Sequence, residues 1–297
     1  GDAAPTANSG KFKDWGFEGS INYNGKIGEV QYHVGGNITF ARNELTDYGG
    51  TSVLKSGYTS TQQGYSLNSI FGLRYGGKIQ NEEMLKAYLA KYYPNNGIGM
   101  PSNLRVGDNM YCDENGDGVL DYRDYIYLGS DTPEISYSFN AGASWKGIDF
   151  NIVFQGSANR FVYRGIDAWT VPFRSLYTNS TTSSIGNTWS ETNPNAYYNP
   201  YTTDANIVSY NYQANSLTAQ DGRYIRLKNI TVGYNLPASV LKKLGFVNAA
   251  RIYFTGEDLW ESTKITDGWD PEAKRNASDV SRYPFTRNYT FGLNLTF

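Results

Sequence analysis

Alternation of apolar and polar residues with a period of two is the feature that most constrains this chain. It is clearest at the C-terminus, where every second residue from Tyr289 to Phe297 is apolar and the residues between are Thr, Gly and Asn. Successive side chains of a β-strand point to opposite faces, so this stretch predicts a strand that ends at the last residue. The same pattern, in places with a slip of phase, predicts seven strands, at about 15–23, 29–42, 134–145, 148–160, 223–235, 249–259 and 286–297.

These strands are long, and their polar positions are mostly neutral. They run over roughly 9 to 13 residues, whereas strands of soluble sheets usually have five or six, and a tilted membrane-spanning strand needs about 9–11. The residues between the apolar positions are mostly Asn, Ser, Gln and Thr. Two architectures fit this pattern: an outer-membrane β-barrel with a lipid face and a polar lumen, and a soluble β-sandwich with one hydrated face.

Composition narrows the functional classes. The formal net charge is -2, which lacks the basic footprint of a nucleic-acid binder. Mean hydropathy is -0.53, and no stretch approaches the length of an apolar transmembrane helix. Aromatic residues nevertheless make up 15% of the chain, which argues against disorder and suits the aromatic girdles of an outer-membrane barrel. One His and one Cys exclude a disulfide framework and a His-rich or Cys-rich metal site.

The connections between strands favour the barrel. Asn24-Gly25-Lys26 and Lys146-Gly147 predict tight hairpin turns. A short helix over Ala238–Leu244, begun by Pro237 and ended by Gly245, is placed in another connection on the same side. The remaining connections are very long, at about 43–133, 160–222 and 257–287, and the first contains a helical stretch at 82–89. Short periplasmic turns alternating with long extracellular loops are typical of outer-membrane proteins.

Seven strands do not make a plausible barrel alone. Single-chain bacterial barrels have even strand numbers, and only a closed sheet satisfies every backbone group in lipid. The sequence therefore predicts an all-β transmembrane antiparallel barrel of which residues 1–297 are the C-terminal part. The first residues, Gly1 to Pro5, lack the basic and apolar regions of a signal peptide, which was removed or belongs to another part of the protein.

The sharpest chemical motif is a twelve-residue stretch from Asp113 to Asp124. It matches the calcium-binding loop of EF-hands at the ligand positions and at Gly118, which permits the sharp turn. Position 12 is Asp rather than Glu, so we expect weaker calcium binding and some Mg²⁺ occupancy. The alternative is an Asx-rich turn that satisfies its own backbone. The predicted ligands are Asp113, Asn115, Asp117, the carbonyl of Val119, Asp121 and Asp124.

Other candidates carry weaker signals. His33 lies on the polar face of a strand with no nucleophile motif, so we expect a lumen hydrogen bond and predict no catalytic residues. Cys112 is expected to be a free thiol or to bridge a part of the protein outside this sequence. The aromatic runs 197–201 and 210–212 suit either stacking on sugars and peptides or packing within a loop.

Four stretches carry a resemblance to a known family. Residues 290–297 look like the C-terminal signal of outer-membrane barrels, polar-x-Gly-x-x-apolar-x-aromatic. Gly107-Asp108 with 113–121 is similar to the GD…D-x-NGDG-x-ID segment of SusC/RagA-type TonB-linked transporters. Residues 224–237 resemble that family's F-[IL]-R-L-[KR]-N strand, which continues to GY-x-LP. Residues 251–259, 268–272 and 283–284 resemble its R-[VI]-Y-x-x-G-x-NL, DPE and YP stretches, with Asp258 where Asn is usual.

The resemblance implies the architecture and the function. Such proteins are barrels of about 22 strands with an N-terminal plug, and neither the plug nor the TonB-contacting segment is in this sequence. They import glycans or oligopeptides with a SusD-like surface lipoprotein as a lid, driven by the TonB complex, and are not enzymes. The resemblance places the protein in the outer membrane. The competing functions are a TonB-dependent siderophore receptor and a secreted calcium-binding β-sandwich that binds carbohydrate.

Overall fold

Seven long antiparallel strands dominate the fold. The computed structural model describes residues 10–48, 53–56, 59–163, 180, 182–266, 268–272 and 285–297. In chain order the strands are β1 (Gly10–Ile27), β2 (Val30–Tyr48), β3 (Val53–Ser56), β4 (Thr59–Gln62), β5 (Ser69–Gly72), β6 (Tyr75–Lys78), β7 (Asn109–Tyr111), β8 (Ile126–Ser130), β9 (Ile135–Trp145), β10 (Ile148–Ala158), β11 (Phe161–Val162), β12 (Gln220–Asp221), β13 (Tyr224–Asn235), β14 (Ala249–Thr263) and β15 (Asn288–Thr296). The helices are α1 (Glu82–Tyr92), α2 (Ala205–Asn211) and α3 (Ala238–Leu244), with 3-10 turns at Tyr93–Asn95, Tyr122–Asp124 and Thr182–Ser184.

The long strands form one open sheet in the order β1-β2-β9-β10-β13-β14-β15. All neighbours pair antiparallel, and all seven strands lie where the sequence predicts them. Within the described residues, the outer edges of β1 and β15 have no further partner. An open sheet of this kind is expected of one part of a larger barrel, since only a closed sheet satisfies every backbone group in lipid.

The two faces of this sheet differ in chemistry. On one face Phe17 stacks on Phe40 with ring centroids 5.8 Å apart, and Phe254 meets Phe291 at 5.1 Å. These rings are not covered, since Phe291 is 81% exposed and Phe17 is 59% exposed. A soluble sandwich would bury such a face against a second sheet. We name it the lipid face, and the opposite face, which carries most of the Asn, Ser and Thr residues, the lumen face.

The tight turns agree with the sequence in one case and not in the other. At Lys146-Gly147 both residues have positive φ, 47° and 87°, as a primed hairpin turn requires. The first hairpin instead turns at Gly28-Glu29, where Gly28 has φ 60°, and the prediction at Asn24-Gly25-Lys26 is wrong. Asn24-Gly25 remains inside the strand because the Tyr32 ring lies directly over Gly25, where a side chain would collide with it.

Bulges explain the slips of phase that weakened two strand predictions. The register between β13 and β14 shifts between Leu227 and Asn229, so alternation on β13 changes phase at Lys228. On β14, Asp258 adopts φ 55°, a conformation that Asp and Asn tolerate better than most residues. The strand therefore continues to Thr263, beyond the predicted end at 259, and β2 likewise continues to Tyr48 rather than 42.

The connections after β2 and β10 fold together into one small body. It contains α1, α2 and short strands paired as β3-β4-β5-β8, β6-β7 and β11-β12. Its main core includes Leu73, Ile79 and Leu120, all fully buried, and Tyr210 from the second connection. We name this unit the loop body. The described part of the chain has no helix that is both long and apolar enough to cross a membrane.

Candidate functional site

The predicted cation loop lies in the loop body and is closed by its own hydrogen bonds. The Asp113 carboxylate accepts hydrogen bonds from the backbone N–H groups of Gly116 at 2.7 Å and Gly118 at 2.9 Å. At the far end Asp124, which is fully buried, accepts from Glu114 N–H at 3.0 Å and from Asp121 N–H at 2.9 Å. The first and last predicted ligands therefore hold the two ends of the loop together.

The central acidic residues of the loop face an arginine. Arg123 Nη2 lies 2.9 Å from a carboxylate oxygen of both Asp117 and Asp121. Asn115 Oδ1 accepts from Asp117 N–H, and Asp117 Oδ1 accepts from Val119 N–H. Within the described residues, no group of three or more His, Cys, Asp or Glu side chains is arranged to hold a metal ion. All six predicted ligands thus share one loop, but in this geometry Arg123 balances the charge of two of them.

The cation loop is fixed to the loop body at two points. Leu120 is fully buried in the core, and its carbonyl accepts from Gly97 N–H at 2.7 Å. Glu114 forms a two-pronged ion pair with Arg74, at 2.6 and 3.1 Å. Cys112, beside this pair, is a free thiol, and partial burial raises its pKa. The cation loop is therefore packed against the loop body and does not project from it.

A buried polar network joins the two connections that form the loop body. Asn109 binds Asn211 twice, through its backbone N–H and through its side-chain amide, each at 2.8 Å. Asp108, of the Gly107-Asp108 motif, is fully buried and accepts from Asn211 Nδ2 at 2.8 Å and from Arg105 N–H at 2.7 Å. Burial raises the pKa of Asp108 and lowers the pKa of the nearby Lys78 to about 8. The sequence identified the motif by resemblance but did not predict these partners.

The tyrosine-rich runs pack inside the loop body. Tyr198, Tyr210 and Tyr212 are buried, and the Tyr210 hydroxyl lies 2.9 Å from that of Tyr88. Burial raises the pKa of Tyr88 to about 12. Of the two predictions for these runs, loop packing therefore holds for these three residues, whereas Tyr201 is 51% exposed.

A second charged cluster lies where β13 and β14 bulge. Arg226 is fully buried and contacts three carboxylates: Asp270 at 2.5 Å, Glu272 at 3.2 Å and Glu261 through the same guanidinium. Its guanidinium also lies 4.1 Å from the centroid of the Phe285 ring. We name Arg226 and its three carboxylates, together with the pair Lys228–Asp258, the Arg226 cluster. Lys228 Nζ lies 2.7 Å from Asp258 and 3.2 Å from Glu272.

Another arginine, Arg160, contacts the same segment. Arg160 donates to the Pro271 carbonyl at 2.5 Å and to Asp131, through the backbone carbonyl at 3.0 Å and the carboxylate at 3.3 Å. Residues 270–272, the Asp-Pro-Glu motif, are therefore clamped to the end of the sheet by three cationic side chains. The partner motif at 283–284 lies outside the described residues. The sequence showed these motifs separately, and only the fold brings them together.

Away from the Arg226 cluster, the lumen face has few charged contacts. His33 Nε2 lies 3.3 Å from Asn151 Oδ1, which agrees with the predicted lumen hydrogen bond. Asn37 donates to Ser138 at 2.7 Å, and Thr231 and Thr255 are hydrogen-bonded across β13 and β14. Arg251 and Asp149 form an ion pair at 2.6 Å near the short-turn end. Most of this face therefore presents amides and hydroxyls.

Comparisons with known proteins agree with this geometry. No family model matches the chain. TonB-dependent receptor P26 of Formosa agariphila is 28% identical over 98% of this chain, and TonB-dependent receptor P3 of the same organism is 30% identical over 80%. TonB-dependent receptor SusC of Bacteroides thetaiotaomicron is 24% identical over the whole chain. The solved RagAB peptide transporter superposes on 97% of this chain with a TM-score of 0.72 at 21% identity.

In sequence and fold the chain is similar to part of a SusC/RagA-like TonB-dependent receptor. It spans between 23% and 30% of the length of these curated relatives and 29% of the matched RagAB chain. The antiparallel sheet is accordingly part of a larger outer-membrane barrel, and the outer membrane is the location of the protein. These relatives are named as receptors and transporters rather than enzymes.

Proposed function

We propose that this chain forms part of the wall and the extracellular loops of a transporter that imports glycans or oligopeptides across the outer membrane. The observation that carries the proposal is the division of the sheet into an exposed apolar face and a polar face rich in amides and hydroxyls. An apolar exterior and a polar interior are what a membrane-spanning conduit requires. The solved relative is the RagAB peptide transporter, which supports the oligopeptide half of the proposal.

The loop body supports a role in ligand capture. It lies at the end of the sheet opposite the short turns, which is the extracellular end in outer-membrane barrels. Its buried core and polar network hold the loop body in one conformation. It therefore offers a fixed outer surface on which a SusD-like lipoprotein lid can close. The TonB complex would act on a plug carried by another part of the receptor. No covalent step is needed, because ligand moves through the lumen after the plug is remodelled.

The first experiment is purification of the complete receptor from outer membranes in detergent, followed by intact mass spectrometry and N-terminal sequencing of each band. We expect a chain or co-purifying fragment that carries a plug, together with a SusD-like lipoprotein. Masses of retained glycans or peptides would then identify the cargo class. A retained iron chelate without a lipoprotein would support the siderophore receptor. A species that is soluble without detergent would contradict import and support the secreted binding module.

We propose further that the cation loop binds Ca²⁺, with Mg²⁺ as a weaker substitute. Asp113, Asn115, Asp117, the Val119 carbonyl, Asp121 and Asp124 keep the order of a calcium loop. Of the four carboxylates there, two face the Arg123 guanidinium. Each carboxylate oxygen that accepts an N–H group retains a second lone pair for a metal. A cation would displace Arg123 from Asp117 and Asp121, so the expected affinity is that of weak extracellular sites, about 10⁻⁴–10⁻³ M.

Hydrogen exchange of residues 113–124 in the complete receptor tests this site. We expect added Ca²⁺ to slow exchange relative to chelator, and Asp113→Asn, which removes one ligand charge, to reduce that effect. Arg123→Gln is the matched variant, since it removes the competing cation and should increase calcium affinity. If Ca²⁺ does not change the exchange rate in the unsubstituted receptor or in either variant, the loop is an Asx-rich turn that satisfies its own backbone and binds no calcium.

A further inference from the structure

Basic side chains gather on the lipid face at one corner of the sheet. In the β1–β2 register Trp15 is opposite Arg42, Lys13 is opposite Glu44, and Lys11 is opposite Asp47. Lys13 and Trp15 share the face of Phe17 because side chains two residues apart on a strand point the same way. This corner lies at the extracellular end, immediately beyond the stacked pair Phe17–Phe40.

Two of these cations flank one indole ring. Lys13 Nζ lies 5.1 Å from the centroid of Trp15, and the guanidinium carbon of Arg42 lies 5.9 Å from it. Trp15 is 37% exposed. Tryptophan at the edge of an apolar band marks the level of the lipid headgroups. Lys13 and Arg42 are therefore held at the depth where phosphates of the outer leaflet lie.

The surrounding charges leave this corner able to bind an anion. Lys11 lies 3.8 Å from Asp47, and Arg42 lies 3.5 Å from Glu134, both at distances of weak exposed pairs. Glu44 is the third carboxylate of the corner and faces Lys13 across the strands. In the described part of the chain, no carboxylate oxygen lies within salt-bridge distance of Lys13 Nζ. Lys13 is therefore the cation with the fewest local competitors for a phosphate.

The charge of this corner differs between the two faces of β1. On the other strands of the sheet, the lipid-face residues nearest the extracellular end are uncharged: Ile135, Ala158, Ile225, Ser262 and Tyr289. On the lumen face of β1 at the same level, the charged residues are Asp14 and Glu18, which are acidic. At this level of β1, positive charge is thus on the lipid face and negative charge is on the lumen face.

We propose that Lys11, Lys13, Arg42 and Trp15 form a binding site for the phosphate-bearing headgroup of an outer-leaflet lipid. Lys13 and Arg42 bind a phosphate with charge-assisted hydrogen bonds. The indole and the Phe17–Phe40 pair receive the sugar and the first carbons of the acyl chains. This inference rests on the outer-membrane location and on the lipid face. It does not depend on the cargo or on the lipoprotein partner.

Native mass spectrometry of the complete detergent-solubilised receptor tests the site with two probes. These are lipid A carrying two phosphates and the same lipid with both phosphates removed. We expect preferential binding of the phosphorylated lipid. Lys13→Gln or Arg42→Gln should weaken it about fivefold each, and the double variant about 30-fold, since a cation near a membrane surface contributes about that factor. Lys13→Arg should retain binding.

The matched control is Lys146→Gln at the opposite end of the sheet. Lys146 lies over Trp145 at 5.2 Å, so it repeats the cation–indole arrangement at the periplasmic end. We expect this substitution to leave binding of phosphorylated lipid A unchanged. The proposal is overturned if both lipids bind equally. It is also overturned if the Lys13 and Lys146 variants lose the same amount of lipid A binding. That result would indicate lipid bound nonspecifically around the barrel.

Discussion

The sheet and the loop body follow opposite rules for placing apolar and polar groups. The sheet exposes Phe17, Ile21 and Phe291 on one face and leaves amides on the other. The loop body buries its apolar residues and encloses the Asn109–Asn211 network among them. The difference indicates that the solvent, not the strand content, determines the pattern: lipid surrounds the first region and water surrounds the second.

The largest expected effect is at the contact between the sheet and residues 268–272. Arg226→Met would leave Glu261, Asp270 and Glu272 without their shared cation, and removing one partner of a buried ion pair costs about 3–5 kcal/mol. We expect residues 268–272 to detach from the sheet, measured as faster hydrogen exchange there and a lower unfolding midpoint in urea. Lys11→Met, in an exposed pair, is the control and should change the midpoint little. Unchanged protection of 268–272 would contradict the clamp.

A slightly smaller effect separates the two faces of the sheet. Ile152→Arg puts a charge on the lipid face, where a cation near the bilayer midplane costs about 2–4 kcal/mol. The adjacent Asn151→Arg puts the same charge on the lumen face and loses only the His33 contact. We expect the urea midpoint of the receptor in lipid vesicles to fall for the first variant and to change little for the second. Equal losses would show that the two faces are wrongly assigned.

The loop body should respond to alkaline pH in a way the sheet does not. Burial lowers the pKa of Lys78 to about 8 in the folded state, from an ordinary value of about 10.5 when unfolded. Below about pH 8 Lys78 is protonated in the folded state, so the fold is destabilised by a buried ammonium group. This destabilisation decreases as the pH rises from about 8 toward 10.5, the pKa of lysine in the unfolded chain. Protection of 75–111 against hydrogen exchange, corrected for the intrinsic rate, should therefore increase above pH 8, by up to roughly 1.4 kcal/mol per pH unit.

Lys78→Met is the control for this pH dependence, because it removes the titrating group and should flatten the slope. The measurement must stay below about pH 10, where buried tyrosines act in the opposite sense. Burial raises the pKa of Tyr88, Tyr111 and Tyr210 in the folded state. The fold therefore loses stability as these tyrosines ionise in the unfolded chain. A slope that persists in Lys78→Met would assign the effect to another group.

The smallest expected effect concerns the bulge on β14. Asp258→Asn keeps a residue that tolerates positive φ and loses only the charge paired with Lys228, so we expect a loss below about 1 kcal/mol. Asp258→Val would force a β-branched residue into φ 55° and should cost more, about 1–3 kcal/mol. Urea midpoints of the two variants provide the comparison. Equal midpoints would show that the backbone conformation of Asp258 is not required.

Sequence alone predicted the sheet well because period two is a local property. All seven strands, the Lys146-Gly147 turn and α3 follow from residues next to one another. The Asn24-Gly25 prediction failed because Tyr32, seven positions beyond Gly25, covers that glycine and keeps it in the strand. Strand ends at Tyr48 and Thr263 were missed because bulges at Lys11–Phe12 and at Asp258 interrupt the alternation.

The candidate sites were harder to predict because their partners are distant in the chain. The cation loop is local, and its six residues could be named in advance, but the position of Arg123 between Asp117 and Asp121 could not. Asp108 meets Asn211 and Arg226 meets Asp270 only after the strands have set the register. The resemblance identified these motifs as belonging together, and the fold supplies the physical reason.

The shared core of the loop body has a practical consequence for building hybrid receptors. Asn109 and Asp108 come from the connection after β2, whereas Asn211 and Tyr210 come from the connection after β10. A hybrid that takes only one of these connections from a relative would divide a buried network between two unmatched halves. The two connections fold as a single unit, so a hybrid that takes the loop body from a relative has to take both at once.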